Sequence, residues 1–586
     1  MLWADFSLVD EGCSGLRRFR STVIESENQV DEGRFLRWLV YVLVIGLSAA
    51  WASHRIYRVN VLDKEIRIAR DLEGSPMLCA NDRSRWCTIR ALGDHGRYEI
   101  DDILADERGE FSFDQKKYDR NWVTIDLVKH LDRNGEMRYY SSKPTLLPTM
   151  LAYIYKGVKA ATGKSIEQDT FDVVQIMLIL VNVIPMTILL LFMAATLELF
   201  SKDTFTKIVL VVAASFGTFL TPFAVTLNNH LPAAISVGIA LFAIVLIYKS
   251  ERTTLIPYFF AGLFSAFAAA NELPALSFFC FAGFLLLLRG PMQTVLLFVP
   301  GAAIIVAGFF LTNFQAHNDW IPAYAHRTDG EVITTLDQIL FDEVEAGNVS
   351  AELVAQINRH ADSIGFNISQ DSVTLAEGQM PLSRKLSKRF VLTQSDESQR
   401  IAIVQKKTGR VEVRKWNNWY DYPESRWLIG NKGGVDKGEP DPAVYAFHCL
   451  IGHHGIFSLT PMWILSLCGM PLLLFQSGYR RYRWLAVMII IVSFVVVAFY
   501  LTRPLEDRNY GGGTSALRWL LWLAPLWILA AVPFVELLSK SIWGKIAVVI
   551  LVAASIASAH YSAMNPWVHP WLYELLVKLE WIKPFG

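Results

Sequence analysis

Charged residues at the ends of apolar stretches are the first candidates for chemistry in this sequence. In YYSSKPTLLPTMLAYIY, residues 139–155, Lys143 precedes Pro144 and an apolar run that stops at Lys156. Proline has no backbone N–H group and disfavours helix at the residue before it, so a short helix is predicted to begin here. Lysine is a compact cation suited to phosphate. Lys143 is therefore either a phosphate ligand or an interfacial lysine that reaches generic lipid phosphates.

Three further polar residues stand beside apolar runs. Arg518 begins one run after the Gly-rich sequence YGGG, and its planar guanidinium group either clamps a phosphate or marks a membrane boundary. His230 in LNNH and Glu272 in NELP are interpreted either as cavity residues or as loop residues whose hydrogen bonds are satisfied locally. What these residues can do depends on where the surrounding elements place them.

The composition is that of a membrane protein. Of the 586 residues, 53% are hydrophobic and 19% are charged, whereas soluble domains contain fewer apolar and more charged residues. The formal net charge is zero, which argues against a nucleic-acid partner. The 12% aromatic content suits interfacial belts and contacts with sugars or lipids.

Long apolar runs predict a polytopic, mainly α fold with about eleven transmembrane helices. The run 256–288 is too long for one helix and is divided at Asn271-Glu272-Leu273-Pro274. The other predicted spans are 36–53, 172–197, 206–224, 230–248, 292–312, 457–476, 483–502, 517–536 and 543–562. The predicted regions are a cytoplasmic N-terminal segment (1–35), an N-terminal membrane core (36–312) that includes an outer loop (54–170), an extracytoplasmic insert (313–456), C-terminal membrane helices (457–562) and an extracytoplasmic tail (563–586).

The distribution of cationic residues predicts the orientation. They concentrate in short loops on one side, which by the positive-inside rule is the cytoplasmic side and also holds the N-terminus. These loops contain Lys202, Lys207, Lys249, Arg289, the run GYRRYRW, Lys540 and Lys545. The opposite side receives LNNH, NELP and the two long polar segments. A bacterial inner membrane fits this topology, and the endoplasmic reticulum has the same sidedness.

The two long polar segments differ in predicted structure. The outer loop is predicted to be helical: NDRSRWCTIRALGDHG begins with Asn81 or Asp82 as N-cap, RNWVTIDLVKHL is a second helix, and both lie flat on the membrane. The insert between helices 7 and 8 is predicted to be α+β, with two helices in 335–362 and strands in RFVLT, IAIVQKK and RVEVRKW. Cys79 and Cys87 are either paired or free.

Five stretches together resemble a known family. They are NDRSRW at 81–86, YYSSKPTLLP at 139–148, LNNH at 227–230, NELP at 271–274 and YGGGTSALRWLLWLAPL at 510–526. Their order and shared side of the membrane are similar to those of membrane glycosyltransferases of the C-type fold, which include protein O-mannosyltransferases and the lipid A aminoarabinose transferase. The resemblance covers the membrane core and largely omits the insert.

The resemblance implies an enzyme that moves a sugar from a polyprenyl-phosphate donor to an acceptor outside the cytoplasm. Asp82 stands where the family has its acidic residue and would be the general base, or it merely caps its helix. Asp102 in RYEIDDI is the nearest rival, or part of a solvated turn. Lys143 and Arg518 would bind the donor phosphate, although KPT departs from the family's Lys-Pro-Pro.

A metal is not predicted for this site. HCLIGHHG at 448–455 spaces Cys449 and His453 as helix neighbours, yet no acidic cluster or Cys pair completes a zinc site. His453 and His454 are interpreted instead as a loop beside the donor headgroup. Relatives with lipid monophosphate donors generally work without a metal, and those with pyrophosphate donors hold a divalent ion with several carboxylates. The prediction is no cofactor, with a divalent cation left open.

Two alternatives of other classes stay open. A transporter or flippase for a lipid-linked substrate is one, although the predicted spans hold few mid-membrane ionisable residues of the kind that coupled transport uses. A non-catalytic scaffold of the same fold is the other. The sugar and the acceptor, which is a glycan, a lipid or a protein, lie beyond the sequence.

Overall fold

The computed structural model describes residues 8–59, 75–250, 255–361, 367–378, 386–395, 399–428 and 431–585. Part of the predicted N-terminal segment and residues 60–74 of the predicted outer loop therefore lie outside the described residues.

Apolar helices form the membrane part of the chain. Seven helices in the described residues are long and apolar enough to cross a membrane. They are Gly33–Arg58 (the second half of the helix Leu8–Arg58), Thr170–Phe200, His230–Lys249, Pro291–His317, Ser477–Leu501, Arg518–Leu538 and Ile542–Tyr561. Four shorter apolar helices are Thr204–Gly217, Ile256–Asn271, Leu273–Arg289 and Trp463–Phe475. The chain is thus a multi-pass membrane protein, whereas the count of eleven crossings stays a prediction because a span needs about 20 residues.

Close helix packing in the membrane part depends on small residues. A Cβ atom at Gly262 would collide with the backbone carbonyl of Phe298, and one at Gly301 would stand 2.5 Å from the carbonyl oxygen of Phe259. The helices Ile256–Asn271 and Pro291–His317 therefore approach each other backbone to backbone. Such contacts are a common source of helix association in membranes, where lipid is as apolar as the side chains.

The first outer loop contains a β-hairpin where the sequence analysis predicts a helix. Strands Leu127–Leu131 and Met137–Ser141 pair antiparallel, and we call them the outer hairpin. The Asp132 carboxylate fixes the turn by accepting from the N–H groups of Asn134 at 2.7 Å and Glu136 at 2.9 Å. The helical prediction for RNWVTIDLVKHL is wrong because this turn and the partner strand outweigh its weak helical periodicity.

The predicted helix at NDRSRW is present as Ala80–Arg90 and continues through a π-helical turn, Ala91–His95. It does not lie flat on a membrane, because most of its residues, including Trp86, are buried within the protein. Its N-cap is Cys79 and not Asn81 or Asp82. Cys79 and Cys87 are both free.

The Lys-Pro stretch leads into a helix at Leu146–Thr162, which begins three residues after Lys143. One face of this helix packs on Ala80–Arg90 and the other faces outward. The remaining short helices outside the insert are Asp101–Leu104, Leu220–Phe223, Ile456–Leu459 and Trp571–Lys578.

The insert is α+β, as the sequence predicts. Its five-stranded antiparallel sheet has the order Val332–Leu336, Val411–Lys415, Arg400–Lys406, Leu386–Gln394 and Val373–Glu377. Helices Gln338–Glu345 and Ala351–Ala361 accompany the sheet, and Pro442–Leu450 follows it. The three inner strands are those predicted from RFVLT, IAIVQKK and RVEVRKW. The two edge strands were missed because they are short and largely exposed.

The insert is joined to the outer hairpin. The N–H of Lys129 donates to the carbonyl of Trp419 at 2.9 Å, and the indole N–H of Trp427 donates to the carbonyl of Ile125 at 2.9 Å. Val128 belongs to a small apolar cluster with Trp419. The hairpin thus stands between the membrane helices and the insert, and the residues that flank its strands, Asp126 and Ser142, line the cavity described next.

Candidate functional site

A cavity of about 720 Å³ lies at one end of the membrane helices. His230 and Arg518 are the first residues of two spans, Asn271 is the last residue of Ile256–Asn271, and Glu272 follows it directly. We call it the central cavity. It is bounded by the helix ends on one side and by the outer hairpin and the insert on the other, through residues such as Lys143 and Tyr420.

The outer hairpin supplies a buried ion pair to the central cavity. Asp126, just before the first strand, accepts from the Lys143 ammonium at 2.9 Å, and their side chains are 8% and 16% exposed. The Ser84 hydroxyl donates to the backbone carbonyl of Asp126 at 2.7 Å and contacts the Ser141 hydroxyl at 2.6 Å. The helix Ala80–Arg90 therefore fixes both strands of the hairpin at the point where the ion pair forms.

A second network connects the motifs NDRSRW, LNNH and NELP. The Arg85 guanidinium donates to Asn81 Oδ1 at 2.6 Å and to Asn229 Oδ1 at 2.5 Å. The Asn229 amide in turn donates to Glu272 Oε1 at 2.6 Å and to the backbone carbonyl of Asn271 at 3.0 Å. Side chains that line one cavity therefore connect these three motifs, which are far apart in the sequence.

The tautomer of His230 follows from its neighbours. Arg518 Nη1 lies 3.2 Å from His230 Nε2, and because arginine has no acceptor atom, Nε2 must carry the lone pair. The proton is then on Nδ1, which faces the Glu272 carboxylate. Glu272, His230 and Arg518 thus lie in a row, with the carboxylate close to Nδ1 of the imidazole and the guanidinium donating to Nε2. Arg518 Nε also donates to the carbonyl of Gly511 at 2.7 Å.

The charge of the central cavity favours an anion. Of the described residues that line it, five carry cationic side chains, namely Arg85, Lys143, Arg327, Arg503 and Arg518, and three carry carboxylates, namely Asp126, Glu272 and Asp507. A wall that includes Leu276, Val495 and Phe499 is apolar. A cationic pocket beside an apolar wall at the end of membrane helices can bind an amphiphile through its anionic headgroup.

Burial shifts the pKa of the cations that the first outer loop supplies. Desolvation lowers the pKa of Lys143 to about 8, although the neighbouring Asp126 carboxylate opposes the shift. Desolvation likewise lowers the pKa of Arg85 to about 10. A phosphate in the cavity would replace the lost solvation of both groups, so an anionic ligand and these two cations stabilise each other.

Asp82 is buried behind the central cavity and is absent from its lining. Its Oδ2 accepts from the N–H of Leu78 and from the Thr226 hydroxyl, each at 2.8 Å, and its Oδ1 accepts from the N–H of Cys79 at 3.1 Å. Desolvation raises the pKa of this carboxyl, and the three hydrogen bonds oppose the rise. The carboxylate caps the helix from its third residue, and its role as general base stays a prediction.

Asp82 is nevertheless connected to Arg518. The indole N–H of Trp567 donates to the Thr226 hydroxyl at 3.0 Å, and that hydroxyl donates to Asp82. The guanidinium of Arg518 lies over the Trp567 ring, 4.9 Å from its centre. Through Thr226, Asp82 therefore helps to position the Trp567 ring against which the Arg518 guanidinium packs.

Three predicted site residues lie elsewhere. Asp102 is exposed, pairs with Arg97 and does not line the central cavity. His453 and His454 contact each other in a cluster of aromatic rings that includes Tyr510, and neither lines the central cavity. The interpretation of these two histidines as a loop beside the donor headgroup stays a prediction.

Several cavity residues were missed by the sequence analysis. Asp126 lay in a stretch misread as helix, and Asn229 was passed over beside His230. Arg85 shares the motif NDRSRW with Asp82, and its place one turn after Asn81 was the available signal. Arg327 and Arg503 carried no pattern. In the part of the chain that the structure describes, no three His, Cys, Asp or Glu side chains are grouped so that they could hold a metal ion.

No protein-family model matches the chain, and no curated protein matches it. Similar solved structures are oligosaccharyltransferases from Archaeoglobus fulgidus. The enzyme AglB, in complex with an inhibitory peptide and a dolichol-phosphate, has a TM-score of 0.43 and 10% identity over 93% of this chain and 58% of that chain. An apo form of the enzyme has a TM-score of 0.38 and 9% identity over 90% of this chain and 56% of that chain. A form tethered to an acceptor peptide has a TM-score of 0.43 and 10% identity over 93% of this chain and 57% of that chain.

The chain thus spans less than three fifths of the length of these enzymes. They are membrane glycosyltransferases of the C-type fold, but of another kind than the O-mannosyltransferases and aminoarabinose transferase that the motifs resemble.

Proposed function

We propose that the chain is a membrane glycosyltransferase that takes a sugar from a polyprenyl-phosphate donor in the central cavity. One observation carries the proposal: all five stretches on which the family resemblance rests place side chains in this cavity. They contribute Asn81 and Arg85, Lys143, Asn229 and His230, Asn271 and Glu272, and Arg518. Their convergence is not a consequence of chain order, because long helices and the outer hairpin separate them.

The donor phosphate is placed between Lys143, Arg85 and Arg518 in this proposal. Lysine supplies a point charge and the two arginines supply planar pairs of donors, which together match phosphate oxygens. The polyprenyl chain would follow the apolar wall at Leu276 and Phe499 toward the lipid. Cations in a buried site stabilise the charge that grows on the phosphate as the glycosidic bond breaks.

The transfer requires one proton acceptor. The acceptor hydroxyl attacks the anomeric carbon, the bond from that carbon to the phosphate oxygen breaks, and polyprenyl phosphate leaves with the bonding electron pair. The hydroxyl proton passes to a carboxylate. We assign this role to Asp126, because it lines the cavity beside Lys143 and is released from its ion pair when the phosphate takes the ammonium.

Other carboxylates are less suited to the role. Asp82 is absent from the cavity lining, and hydrogen bonds from its surroundings engage both of its oxygens. Glu272 is engaged by Asn229 and His230, so its proposed role is to hold Arg518 in place through the imidazole. The proposed positioning residues are therefore Asp82 and Glu272, and the proposed proton acceptor is Asp126.

The proposed reaction takes place on the extracytoplasmic side of a bacterial inner membrane. The cationic short loops at the other helix ends support this orientation through the positive-inside rule. The insert contributes Arg327 and Tyr420 to the cavity, so it is proposed to form part of the acceptor site. The acceptor is a hydroxyl-bearing glycan, lipid or protein.

The test uses purified protein in nanodiscs and a panel of radiolabelled polyprenyl-phosphate sugars. The proposal expects saturable binding of at least one donor, slow release of its sugar to water, and retention of donor binding without turnover in Asp126→Asn. A chain that binds no donor, or one in which Asp126→Asn turns over like the wild type, would remove the support for a transferase.

A further inference from the structure

A second pocket, of about 500 Å³, lies at the far end of the outer hairpin. Its lining comes from the hairpin turn, from the helix Leu146–Thr162 and from the end of the span Pro291–His317. We call it the hairpin pocket. The hairpin pocket and the central cavity share no lining residue, although Tyr140 lines the pocket and Ser142, two residues later, lines the cavity.

A buried histidine in the hairpin pocket lacks one hydrogen-bond partner. His130 Nδ1 lies 2.8 Å from the carbonyl of Leu131 and must donate to it, so His130 Nε2 carries the lone pair. His317 Nδ1, 3.0 Å from that atom, must then donate to it. His317 Nε2 is left as an acceptor, buried and without a partner among the described residues.

The protonation of His130 supports this relay. Burial lowers the pKa of His130 to about 4, so the ring is neutral at physiological pH. It is stacked between Tyr140 and Trp419, with ring centres 4.2 and 4.0 Å away, which keeps the imidazole in place. The unsatisfied atom of His317, which lines the pocket and is 95% buried, is therefore a built-in acceptor for a hydroxyl donor.

The rest of the hairpin pocket suits a ligand with many hydroxyl groups. Tyr98 and Tyr153 offer aromatic faces, and Arg97 and Glu99 offer a donor and an acceptor of opposite charge. An apolar ligand would remove these polar groups from water without offering them hydrogen bonds, and a strongly charged one would meet both signs of charge. The volume falls within the usual range for small-ligand sites.

We propose that the hairpin pocket binds a saccharide, with a sugar hydroxyl donating to His317 Nε2. Neither Lys143 nor Asp126 lines the pocket, so it is separate from the proposed site of transfer. Resting on the proposed function, the inference is that the carbohydrate substrate is longer than one unit and that this pocket holds a non-reacting unit of it. The site would then select glycans by a part remote from the bond that is made or broken.

The test is direct glycan binding by the full chain in nanodiscs, on a printed array of neutral and acidic oligosaccharides. Wild-type protein is expected to bind at least one class of glycan. Tyr153→Ala, at the exposed rim, and His317→Phe, which keeps an aromatic ring and removes the acceptor, should each weaken that binding about tenfold or more. Tyr57→Ala removes another exposed tyrosine, outside the pocket, and should bind like the wild type.

Donor binding is measured on the same preparations. Both pocket variants should bind a polyprenyl-phosphate sugar that presents a single sugar unit as the wild type does. No glycan bound by the wild type, or glycan binding that survives in both variants, overturns the inference. Glycan binding that depends on the pocket in a chain that binds no donor would instead overturn the proposed function and leave the saccharide site standing.

Discussion

At the residue scale, the ion pair between Lys143 and Asp126 joins donor binding to proton transfer. A buried pair of this kind gains little stability for the folded chain, because desolvation offsets much of the attraction. It does hold both groups in the cavity before a ligand arrives. A donor phosphate would compete with Asp126 for the ammonium, so binding would leave the carboxylate free at the moment a hydroxyl needs it.

Donor affinity should depend on Lys143 and on pH. The Lys143→Ala variant should bind the donor roughly 10- to 100-fold more weakly, the range for a lost charge-assisted hydrogen bond. Burial sets the pKa of Lys143 at about 8, so the protonated fraction, and with it donor affinity, should fall as pH rises from 7 to 9. The phosphodiester of the donor does not titrate there, and equilibrium binding at each pH measures the effect.

Lys143→Arg is the matched control for this pH dependence. Arginine keeps its charge throughout the range, so its donor affinity should be nearly independent of pH even if the geometry costs some affinity. A wild-type affinity that stays flat between pH 7 and 9 would show that the Lys143 ammonium does not hold the phosphate.

Asp126 and Asp82 should respond differently to neutralisation. Asp126→Asn should lower transfer about 10²–10⁴-fold while donor affinity is kept or increases, because the competing carboxylate is gone. Asp82→Asn should instead lower the free energy of unfolding by about 1–3 kcal/mol, since an amide cannot accept every hydrogen bond that the carboxylate accepts. Transfer rates, donor affinity and thermal unfolding are measured for both.

The pattern of results separates the two roles. If Asp82→Asn abolishes transfer with unchanged stability and donor affinity, Asp82 is the base, as the family resemblance implies. A fall in donor affinity together with stability would instead reflect the displacement of Trp567 and Arg518.

At the element scale, close helix packing should make one glycine far more sensitive than another. Gly262→Ala should lower the unfolding temperature, with a cost of about 1–3 kcal/mol, because the new methyl group collides with the Phe298 backbone. Gly157→Ala, within the helix Leu146–Thr162, meets no atom within 4 Å and should be neutral or slightly stabilising. Thermal unfolding in one detergent compares the two, and equal effects would contradict the packing.

The elements also divide into those that the sequence predicts and those that it does not. Apolar runs predict helices well because a membrane leaves the backbone no other partner, and each of the eleven predicted spans contains an apolar helix. The outer hairpin was missed because its pairing depends on a turn at Asp132 and a contact with Trp419, both outside the local pattern. Asp126 was missed with it.

At the scale of the whole molecule, the cavity, the insert and the outer hairpin share one end of the helices. The motifs predicted this grouping in part, because Lys143, His230, Glu272 and Arg518 do meet in one cavity. His453 and Asp102 do not line this cavity, and nothing in their local sequence indicates where in the fold they lie. Arg327 of the insert reaches the cavity only through the fold of a region that the motifs do not cover.

The predicted orientation can be read from cysteine accessibility in intact cells. Lys407→Cys in the exposed part of the insert should react with a membrane-impermeant maleimide before cells are opened. Arg480→Cys, among the exposed cationic residues at the start of the span Ser477–Leu501, should react only after permeabilisation. The unsubstituted chain gives the background from native cysteines. The reverse pattern would place the cavity on the cytoplasmic side.

The most direct test of the central claim is donor binding to the purified chain in nanodiscs, with wild type and Lys143→Ala side by side. The account predicts saturable binding of a polyprenyl-phosphate sugar that competes with polyprenyl phosphate alone and weakens by roughly 10- to 100-fold in the variant. Equal binding by both proteins, or no binding of any lipid-linked sugar, would contradict it.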